Sequence, residues 1–366
     1  MKKVFSKSEL SLAAKGSSVG NEGNQLFNDN LNSHKEIENS ENKSKSKNNY
    51  INGARNLKNG SKLNCKNGFE GNIENFIGMS QIPTGLAGPI KIKGTHADGE
   101  FPIPLATTEG ALVASYNRGM KACSQSGGIT TICLSEGVQR SPYFKFENIS
   151  QALDFSRWAN RNIGEFKNIT KQNSGFAELR NIKSNVEGNS VILTFEYSTG
   201  DAAGQNMVTI CTDKICRFIL SNFRFKPLDW YIESNYSGDK KATALSFTNG
   251  RGKKVTSEVT IGKKIVVDIL KTTPKKMVDY WRASTLAVTQ SGSIGAQGHV
   301  ANGLTALFIA CGQDVACISE SSIGLTRMEV DHFGDLYVSL TLPSLIVGTV
   351  GGGTGLPTQK ECLGIM

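Results

Sequence analysis

The sequence has few histidines and none of the short motifs that usually mark a metal site. Its 366 residues include four histidines, and no HExxH pattern occurs. The eight cysteines form no CxxC pair and stand mostly among apolar residues. Cysteines in such settings are more often buried and reduced than joined in disulfides or bound to zinc. The sequence therefore predicts no metal and favours buried thiols over disulfides.

Long apolar runs are also absent. No run approaches the ~20 apolar residues that span a bilayer, and LTALFIAC (304–311) reads as a buried helix or strand. The start, MKKVFSKSELSLAAKG, is basic but has no apolar centre of the kind found in a secretory signal. We predict a cytoplasmic protein with no membrane segment in this chain. Association with the endoplasmic reticulum membrane would require a longer form.

Negative charge and aromatic residues are scarce at the N-terminus. Residues 1–68 hold 12 Lys/Arg against 6 Asp/Glu, together with 14 Asn and 10 Ser. Such a segment buries too little apolar surface to offset the entropy of ordering, so residues 1–62 are predicted to be a disordered tail or linker. A basic tail could bind nucleic acid, but this one lacks interleaved aromatics and arginine clusters. We expect a solvated tail and no nucleic-acid partner.

The rest of the chain mixes helical and strand patterns. Residues 105–128 predict a helix with Thr107 or Thr108 as N-cap and Glu109 in its first turn. Further along, the patterns indicate a helix at 151–166, a strand at 189–198, a helix at 205–223 and a strand at 228–234. This mixture predicts an α+β fold in which 142–232 form a small module inserted into a larger domain.

Two loops have a composition suited to binding or catalysis. GTVGGGTG (348–355) matches neither GxGxxG nor the P-loop pattern, so it predicts a tight strand-to-helix turn, with ligand contact left open. In NYSGDKKATA (235–244), Lys240 stands beside Asp239. A lysine held near a carboxylate can stabilise an oxyanion, but for this loop taken alone an exposed basic turn is the favoured interpretation.

Two carboxylates, Glu109 in TTEGAL and Asp314 in ACGQDVA, lie in apolar, glycine-rich settings. Burial raises the pKa of a carboxyl group and a nearby lysine lowers it, so such groups can serve as proton donor and charge holder in one site. For either residue alone, a helix cap or a hydrogen bond in the core is the favoured interpretation.

Seven blocks, in this order, resemble the signature blocks of the 3-hydroxy-3-methylglutaryl-coenzyme A reductase family. They are ENFIGMSQIPTGLAGP, PLATTEGALVASYNRG, TGDAAGQNM, NYSGDKKATA, NGRGKK, ACGQD and GTVGGGTG. The resemblance covers about residues 63–366, and the IPTGLAGP and DKK forms are similar to the class I enzymes. It implies a large substrate (CoA ester) domain, 63–141 and 233–366, and an inserted ferredoxin-like NADP-binding domain, 142–232.

The resemblance also implies an activity. The family uses NADPH to reduce hydroxymethylglutaryl-CoA to mevalonate and CoA, a step towards isoprenoids and sterols, and it completes its active site across a homodimer interface. Lys240 would stabilise the thioester oxygen, Glu109 would supply a proton and Asp314 would join the two. The implied substrate-binding residues are Arg140, Asn235, Asp239, Lys241, Arg282, Asn302, Ser115, Asn117 and Arg118. The implied cofactor-binding residues are Asp201, Gly204, Asn206, Gly351, Gly352, Gly353 and Thr354.

The chain departs from the family pattern at several places. Ala203 stands where the family has methionine, Glu233 where it usually has serine, and Gly175 where class I enzymes often have arginine. Glu233 should repel an anionic substrate unless it is paired or protonated. The sequence also ends before the segment that carries a histidine in the family. The expected reductase would then be impaired; the alternative is an inactive paralogue that binds the CoA ester or serves as a dimer partner.

Overall fold

The structure is a computed structural model that describes Phe69 and residues 72–366. The described chain forms one compact unit apart from Ile77–Met79, which belong to a second unit. The predicted tail, 1–62, lies outside the described residues. Within the described part of the chain, no helix combines the length and the hydropathy needed to cross a membrane.

The described residues form ten strands that belong to one hydrogen-bonded sheet. They are Thr84–Gly94 (β1), Asp98–Ala106 (β2), Ile129–Arg140 (β3), Tyr143–Lys145 (β4), Glu178–Glu187 (β5), Ser190–Ser198 (β6), Asp229–Tyr231 (β7), Gly252–Ile261 (β8), Leu325–Val330 (β9) and Leu336–Leu345 (β10). The main path runs β7-β4-β6-β3-β8-β10-β9, while β1 joins β2 and β3, and β5 joins β6. Residues 130–137 of β3 pair with β8, whereas residues 138–140 pair with β6. Arg140, the last residue of β3, therefore lies where the two halves of the sheet meet.

The described residues also form ten α-helices, which are interspersed with the strands along the chain. They are Leu112–Gln125 (α1), Ile149–Arg161 (α2), Ile163–Asn173 (α3), Gln205–Asn222 (α4), Ala244–Asn249 (α5), Lys263–Ile265 (α6), Pro274–Gln290 (α7), Val300–Ala310 (α8), Ile318–Ser321 (α9) and Pro357–Ile365 (α10). Short irregular helices add a π turn at Val266–Leu270 and 3-10 turns at Val315–Cys317 and Gly352–Gly355. The apolar run 304–311 belongs mainly to α8. It was predicted to be a buried helix or strand, and it is a helix.

The segment from β4 to β7 has the connectivity βαββαβ, with α3 added after α2. Its strands lie in the order β7-β4-β6-β5, and all three pairings are antiparallel. This is the ferredoxin-like arrangement. The helix α2 begins where Asn148 Oδ1 accepts the Gln151 N–H at 3.0 Å, as an N-cap does. The predicted α+β class is confirmed.

This segment has a large apolar core. Strand β6 buries alternate residues because successive side chains of a strand point to opposite faces of the sheet. Helix α2 buries Ala152, Phe155 and Ala159, which recur at helical spacing. The large side chains with almost no exposed surface are Phe144, Phe146, Phe155, Phe166, Phe195 and Tyr197. Burying each phenylalanine contributes about 1.5–3 kcal/mol, so these rings are a main source of the segment's stability.

Two predicted helix boundaries are wrong. Helix α1 begins at Leu112, after Ala111 in a left-handed conformation with φ 65°, so Glu109 precedes the helix. Thr107 Oγ1 accepts the Glu109 N–H at 3.0 Å, which forms a local turn before the helix instead of a cap on it. The predicted helix 151–166 is divided at Asn162, whose side chain donates to the Trp158 carbonyl at 2.8 Å and competes with continued helical bonding.

Candidate active site

A charged pair lies between the loop that follows β7 and the turn that follows α8. Lys240 Nζ is 2.9 Å from Asp314 Oδ2, and the two side chains are 49% and 44% exposed, so a ligand can reach them. The other Asp314 oxygen accepts the Ala316 N–H at 3.0 Å, which fixes the carboxylate at the start of a 3-10 turn. The hydrogen bond that Lys240 donates to Asp314 raises the pKa of Lys240 above its ordinary value. The site therefore holds a fixed, exposed cation.

The carboxylate of Asp239 lies between two arginines. Asp239 Oδ1 is 2.8 Å from Arg251 Nη2, and Oδ2 is 3.0 Å from Arg140 Nη1. Burial acts to raise the pKa of Asp239, but the charges of Arg251 and Arg140 and their hydrogen bonds outweigh burial and leave the pKa below its usual value. Asp239 is therefore ionised and held by both guanidinium groups.

Arg251 also contacts a second carboxylate, that of Glu320, and both side chains are fully buried. Arg251 Nε is 3.4 Å from Glu320 Oε1, which also accepts the backbone N–H of Lys240 at 3.1 Å. Glu320 Oε2 is buried with no hydrogen-bond partner among the described residues, and burial raises the pKa of this carboxyl group. The result is a buried ionic layer directly below the exposed Lys240–Asp314 pair.

Polar groups of α4 and of the 315–317 turn complete this layer. Gln205 accepts from Arg251 Nη2 at 2.9 Å and donates to Cys317 Sγ at 3.4 Å. Donor atoms of Asp239, Cys317 and Glu320 lie within 4.8 Å of one another, as in some metal sites. Arg251 already contacts both carboxylates, however, and burial raises the pKa of the Cys317 thiol to about 12. The donor set is therefore poorly suited to a cation.

The residues predicted to hold the acidic part of a substrate lie partly together. Lys241 Nζ donates to Asn235 Oδ1 at 3.0 Å and to the Asp239 carbonyl at 3.1 Å. Arg140 is buried and also donates to the hydroxyl of Thr209 at 2.7 Å. Glu233, which was expected to repel an anion unless paired, lies 3.5 Å from Arg140 Nη1. Arg140 thus pairs with Glu233 as well as with Asp239.

A cleft of about 770 Å³ borders Asp314. Its walls include the predicted cofactor residues Gly204, Asn206 and 351–354, together with the first turn of α4. Asp201 lies beside the cleft, since its carbonyl accepts the Thr349 N–H at 2.8 Å. The structure therefore brings the glycine loop, the TGDAAGQNM block and one predicted catalytic residue to one cleft.

Close backbone packing shapes the cleft wall at Gly353. A Cβ added there would lie 2.6 Å from the carbonyl oxygen of Gly312, so only glycine fits without movement. The Gln313 side chain bonds both the N–H and the carbonyl of Gly348, each at 2.9 Å. The hydroxyl of Thr354 donates to the Gly351 carbonyl at 2.7 Å. The loop is thus fixed by its own contacts and by the ACGQD segment.

Some predicted catalytic and substrate residues form no hydrogen bond or ion pair with Lys240 among the described residues. Glu109 is exposed, and in the described part of the chain it forms no hydrogen bond or ion pair with Lys240 or Asp314. Arg282 is exposed on α7, where its Nη1 lies 3.9 Å from Asp279 Oδ1. Asn302 lies in the first turn of α8.

The three residues predicted to face CoA lie on the exposed side of α1. Ser115, Asn117 and Arg118 are all exposed. Asn117 Oδ1 accepts the backbone N–H of Gly88 at 2.9 Å, so part of its bonding capacity supports β1. Ser115 and Arg118 share this surface, and the role of all three on CoA stays a prediction.

Four residues that support the site were not predicted from the sequence: Arg251, Glu320, Gln205 and Gln313. Arg251 lies inside the NGRGKK block and Gln313 inside ACGQD, so the blocks contained a signal for both. Glu320 had no such signal, because its contact with Lys240 joins residues 80 positions apart.

Together the fold and this site define an α+β protein with a lysine–aspartate pair at the edge of a glycine-lined cleft. The family profile described as hydroxymethylglutaryl-coenzyme A reductase matches residues 39–366. The 3-hydroxy-3-methylglutaryl-coenzyme A reductase of Pyrococcus abyssi is 45% identical over 302 residues, covering 81% of this chain and 72% of the relative. The protein of the same name from Aeropyrum pernix is 44% identical over 297 residues, covering 81% and 70%. This chain belongs to the hydroxymethylglutaryl-coenzyme A reductase family.

Solved structures show the same fold at lower identity. A class II 3-hydroxy-3-methylglutaryl-CoA reductase from Streptococcus pneumoniae, bound to NADPH in open conformations, superposes with a TM-score of 0.64 at 18% identity. The match covers 81% of this chain and 80% of that chain. The predicted family is confirmed, and the large-scale fold is shared with these bacterial structures.

Proposed function

We propose that this protein reduces 3-hydroxy-3-methylglutaryl-CoA to mevalonate and CoA with NADPH. The observation that carries the proposal is the Lys240–Asp314 pair, 2.9 Å apart, at the edge of the glycine-lined cleft. The relatives named as reductases of this substrate support the same reaction. Reduction of a thioester needs a cation where negative charge develops on the carbonyl oxygen, and this pair supplies one.

Lys240 is proposed to stabilise the thioester oxygen. Its ammonium is exposed, protonated and held by Asp314, so it need not reorganise when charge develops on the substrate. Removing one preorganised donor of this kind typically costs ~10²–10³-fold in rate. Asn235 and Lys241, which are joined in one loop, are proposed to bind the acidic end of the substrate, while the ionised Asp239 keeps Arg140 in place beneath them.

The cleft fits a dinucleotide. Its volume, about 770 Å³, lies in the range of ~300–1,000 Å³ that is usual for ligand sites. The N-terminus of α4 borders it, has no acidic residue in its first turn and favours phosphate groups. We propose that Asp201, Gly204, Asn206 and residues 351–354 hold NADPH, which supplies the hydride when bound. We propose that the inserted segment, 142–232, binds the dinucleotide together with the 351–354 loop, and that the rest of 63–141 and 233–366 binds the CoA ester.

The glycine loop offers a test of the cofactor site. We expect Gly353→Ala to raise the KM for NADPH, because its Cβ would displace the wall formed with Gly312. Gly355→Ala is the matched control, since a Cβ at that position meets nothing within 4 Å. Equal KM values for the two variants would remove the loop from the proposed cofactor site.

We further propose that a second copy of the chain completes the site as a homodimer. The supporting observation is that Glu109 does not contact Lys240 or Asp314 within one described chain. Mixing Glu109→Gln with Lys240→Ala protein should restore activity, because one site of a mixed dimer would then hold both native residues. No recovery in mixtures shown to exchange subunits would contradict a shared site.

Sterol synthesis, class I character and a cytoplasmic location stay predictions of the sequence.

The first experiment follows the loss of NADPH absorbance with hydroxymethylglutaryl-CoA and, separately, with mevaldehyde. We expect turnover of at least mevaldehyde, and Lys240→Ala should reduce it by ~10²-fold or more. Lys275→Ala is the matched control, since Lys275 forms a 2.6 Å pair with Asp279 on an exposed helix face. A folded protein inactive on both substrates, or unaffected by Lys240→Ala, would overturn the proposal.

A further inference from the structure

Glu320 is a fully buried carboxylate outside the set of residues assigned above to substrate or cofactor. It lies on the one-turn helix α9, close to the 315–317 turn that follows Asp314. One of its oxygens accepts from Arg251 Nε and from the backbone N–H of Lys240, and the other has no hydrogen-bond partner in the part of the chain that the structure describes. A buried carboxylate with an unsatisfied oxygen is costly, so its presence calls for a specific role.

Lys240 has an unusual backbone conformation. Its φ is 57°, in the left-handed region that residues with a Cβ seldom adopt. The turn around it is tight: Gly238 also has positive φ, at 74°, and its carbonyl accepts the Lys241 N–H at 3.1 Å. The N–H of Lys240 itself bonds Glu320 Oε1 at 3.1 Å. The direction of the Lys240 side chain therefore depends on a turn that Glu320 holds from below.

Arg251 links this contact to the neighbouring residue. Its guanidinium is 2.8 Å from Asp239 Oδ1 and 3.4 Å from Glu320 Oε1. Residues 239 and 240 are thus tied to one buried ion pair, the first through its side chain and the second through its backbone. A buried ion pair is weak evidence for stability alone, whereas it can specify one conformation among several.

We propose that Glu320, fixed by Arg251, is a positioning residue that holds Lys240 in the left-handed turn and so directs its ammonium to Asp314. The inference rests on the proposed function, in which Lys240 stabilises the thioester oxygen. Glu320 touches neither substrate nor cofactor in this account. Its effect reaches the chemistry only through the place of the Lys240 ammonium.

The test compares Glu320→Ala with Glu320→Gln in the full chain. Alanine removes the acceptor for the Lys240 N–H, whereas the glutamine oxygen retains it and loses only the charge. We expect kcat to fall by ~10²-fold in Glu320→Ala, the effect of a small misplacement of a catalytic group, with a much smaller change in KM. Glu320→Gln should recover most of kcat.

A second measurement reports the place of Lys240 without relying on turnover. The pKa of its ammonium can be followed by NMR of lysines labelled at Cε, with the signal assigned by its loss in Lys240→Ala. Pairing with Asp314 raises this pKa in the native chain. We expect it to return towards the ordinary lysine value in Glu320→Ala and to stay raised in Glu320→Gln.

Thr212→Val serves as the control for lost stability. Thr212 is buried in the aromatic core, where its hydroxyl bonds Tyr197 at 2.9 Å, and it has no contact with the Lys240 turn. It should leave both kcat and the Lys240 pKa unchanged. A native chain that reduces its substrate while Glu320→Ala alters neither quantity would refute the positioning role and leave the proposed function intact. A native chain without activity would refute the proposed function, and the NMR titration would still decide whether Glu320 positions Lys240.

Discussion

Two buried regions of this protein are built from opposite materials. The core of the inserted segment is aromatic, with Phe144 and Phe155 rings 4.8 Å apart and several further rings around them. The layer below Lys240 is ionic, with Arg251 and Glu320 fully buried and Asp239 between two arginines. Both regions contain fully buried side chains. Only in the second are buried charges paired, which compensates for their removal from water.

The two kinds of interior differ in how strongly they specify the positions of the surrounding residues. Apolar contacts have little directionality, so a core of the right volume tolerates exchange of similar side chains. Charged hydrogen bonds are directional, and a buried charge that loses its partner is strongly destabilising. The aromatic core therefore supplies stability, whereas the ionic layer fixes the conformation of the loop that carries Lys240.

The largest expected effect is that of Arg251→Met. This change leaves Glu320 buried without its cation and removes one of the two arginines from Asp239. We expect the free energy of unfolding, measured by urea denaturation, to fall by ~3–5 kcal/mol. The double variant Arg251→Met/Glu320→Leu should lose less than Arg251→Met alone, because no isolated buried charge remains.

Arg217→Met is the matched control for Arg251→Met. Arg217 pairs with Asp213 at 2.8 Å on an exposed helix face, so its loss should change the free energy of unfolding far less than the loss of Arg251 does. Similar losses at the two arginines would mean that burial does not distinguish the ionic layer from a surface pair.

An intermediate effect is expected on the pH dependence of stability. Since the pKa of Asp239 is lowered in the fold, its contribution is present above its unfolded pKa, ~3.9, and is lost as pH falls through the folded value. The raised pKa of Glu320 has the opposite sign: its contribution is present below ~4.3 and is lost as pH rises through the folded value. Two carboxyl groups of one cluster thus change the stability of the fold with pH in opposite directions.

The measurement is the free energy of unfolding across a pH series. Asp239→Asn should flatten the acid side of the profile, and Glu320→Gln should remove the fall in stability above about pH 4. Parallel profiles for the native chain and Asp239→Asn would show that the two arginines do not hold this carboxylate as the structure indicates.

The smallest expected effect is that of Ile215→Leu in the aromatic core. Ile215 is fully buried on α4, and the change keeps both volume and apolar character. We expect a loss of less than about 1.5 kcal/mol in the same urea assay, with no change in kcat. A loss as large as that of Arg251→Met would mean that the aromatic core is as exacting as the ionic layer.

Local patterns in the sequence predicted much of the fold but not its boundaries. The helix at 205–223 and the strand at 189–198 correspond to α4 and β6, because their apolar residues recur at the right period. The predicted start of α1 was wrong because the Thr107 hydroxyl accepts the Glu109 N–H in a local turn that precedes the helix. Composition does not reveal whether such a hydroxyl caps a helix or closes a turn before it. The sequence likewise gave no sign that Asn162 would divide the helix predicted at 151–166.

The candidate site shows the same division. Lys240 and Asp314 could be singled out because motif order and residue type carry information along the chain, and the structure places them 2.9 Å apart. Glu320 could not, because its role depends on a contact across 80 positions and on complete burial. Glu233 reads as a repulsive charge in the sequence, yet Arg140 pairs with it in three dimensions.

The family, the α+β class and the chemical types at the site could be inferred from the sequence alone, since these reside in ordered motifs and in short-range periodicity. Which charges meet, which are buried and how the Lys240 turn is held became visible only in the folded chain. The physical reason is that the energy of a charge depends on its distance from other charges and on its removal from water, and packing between distant segments sets both.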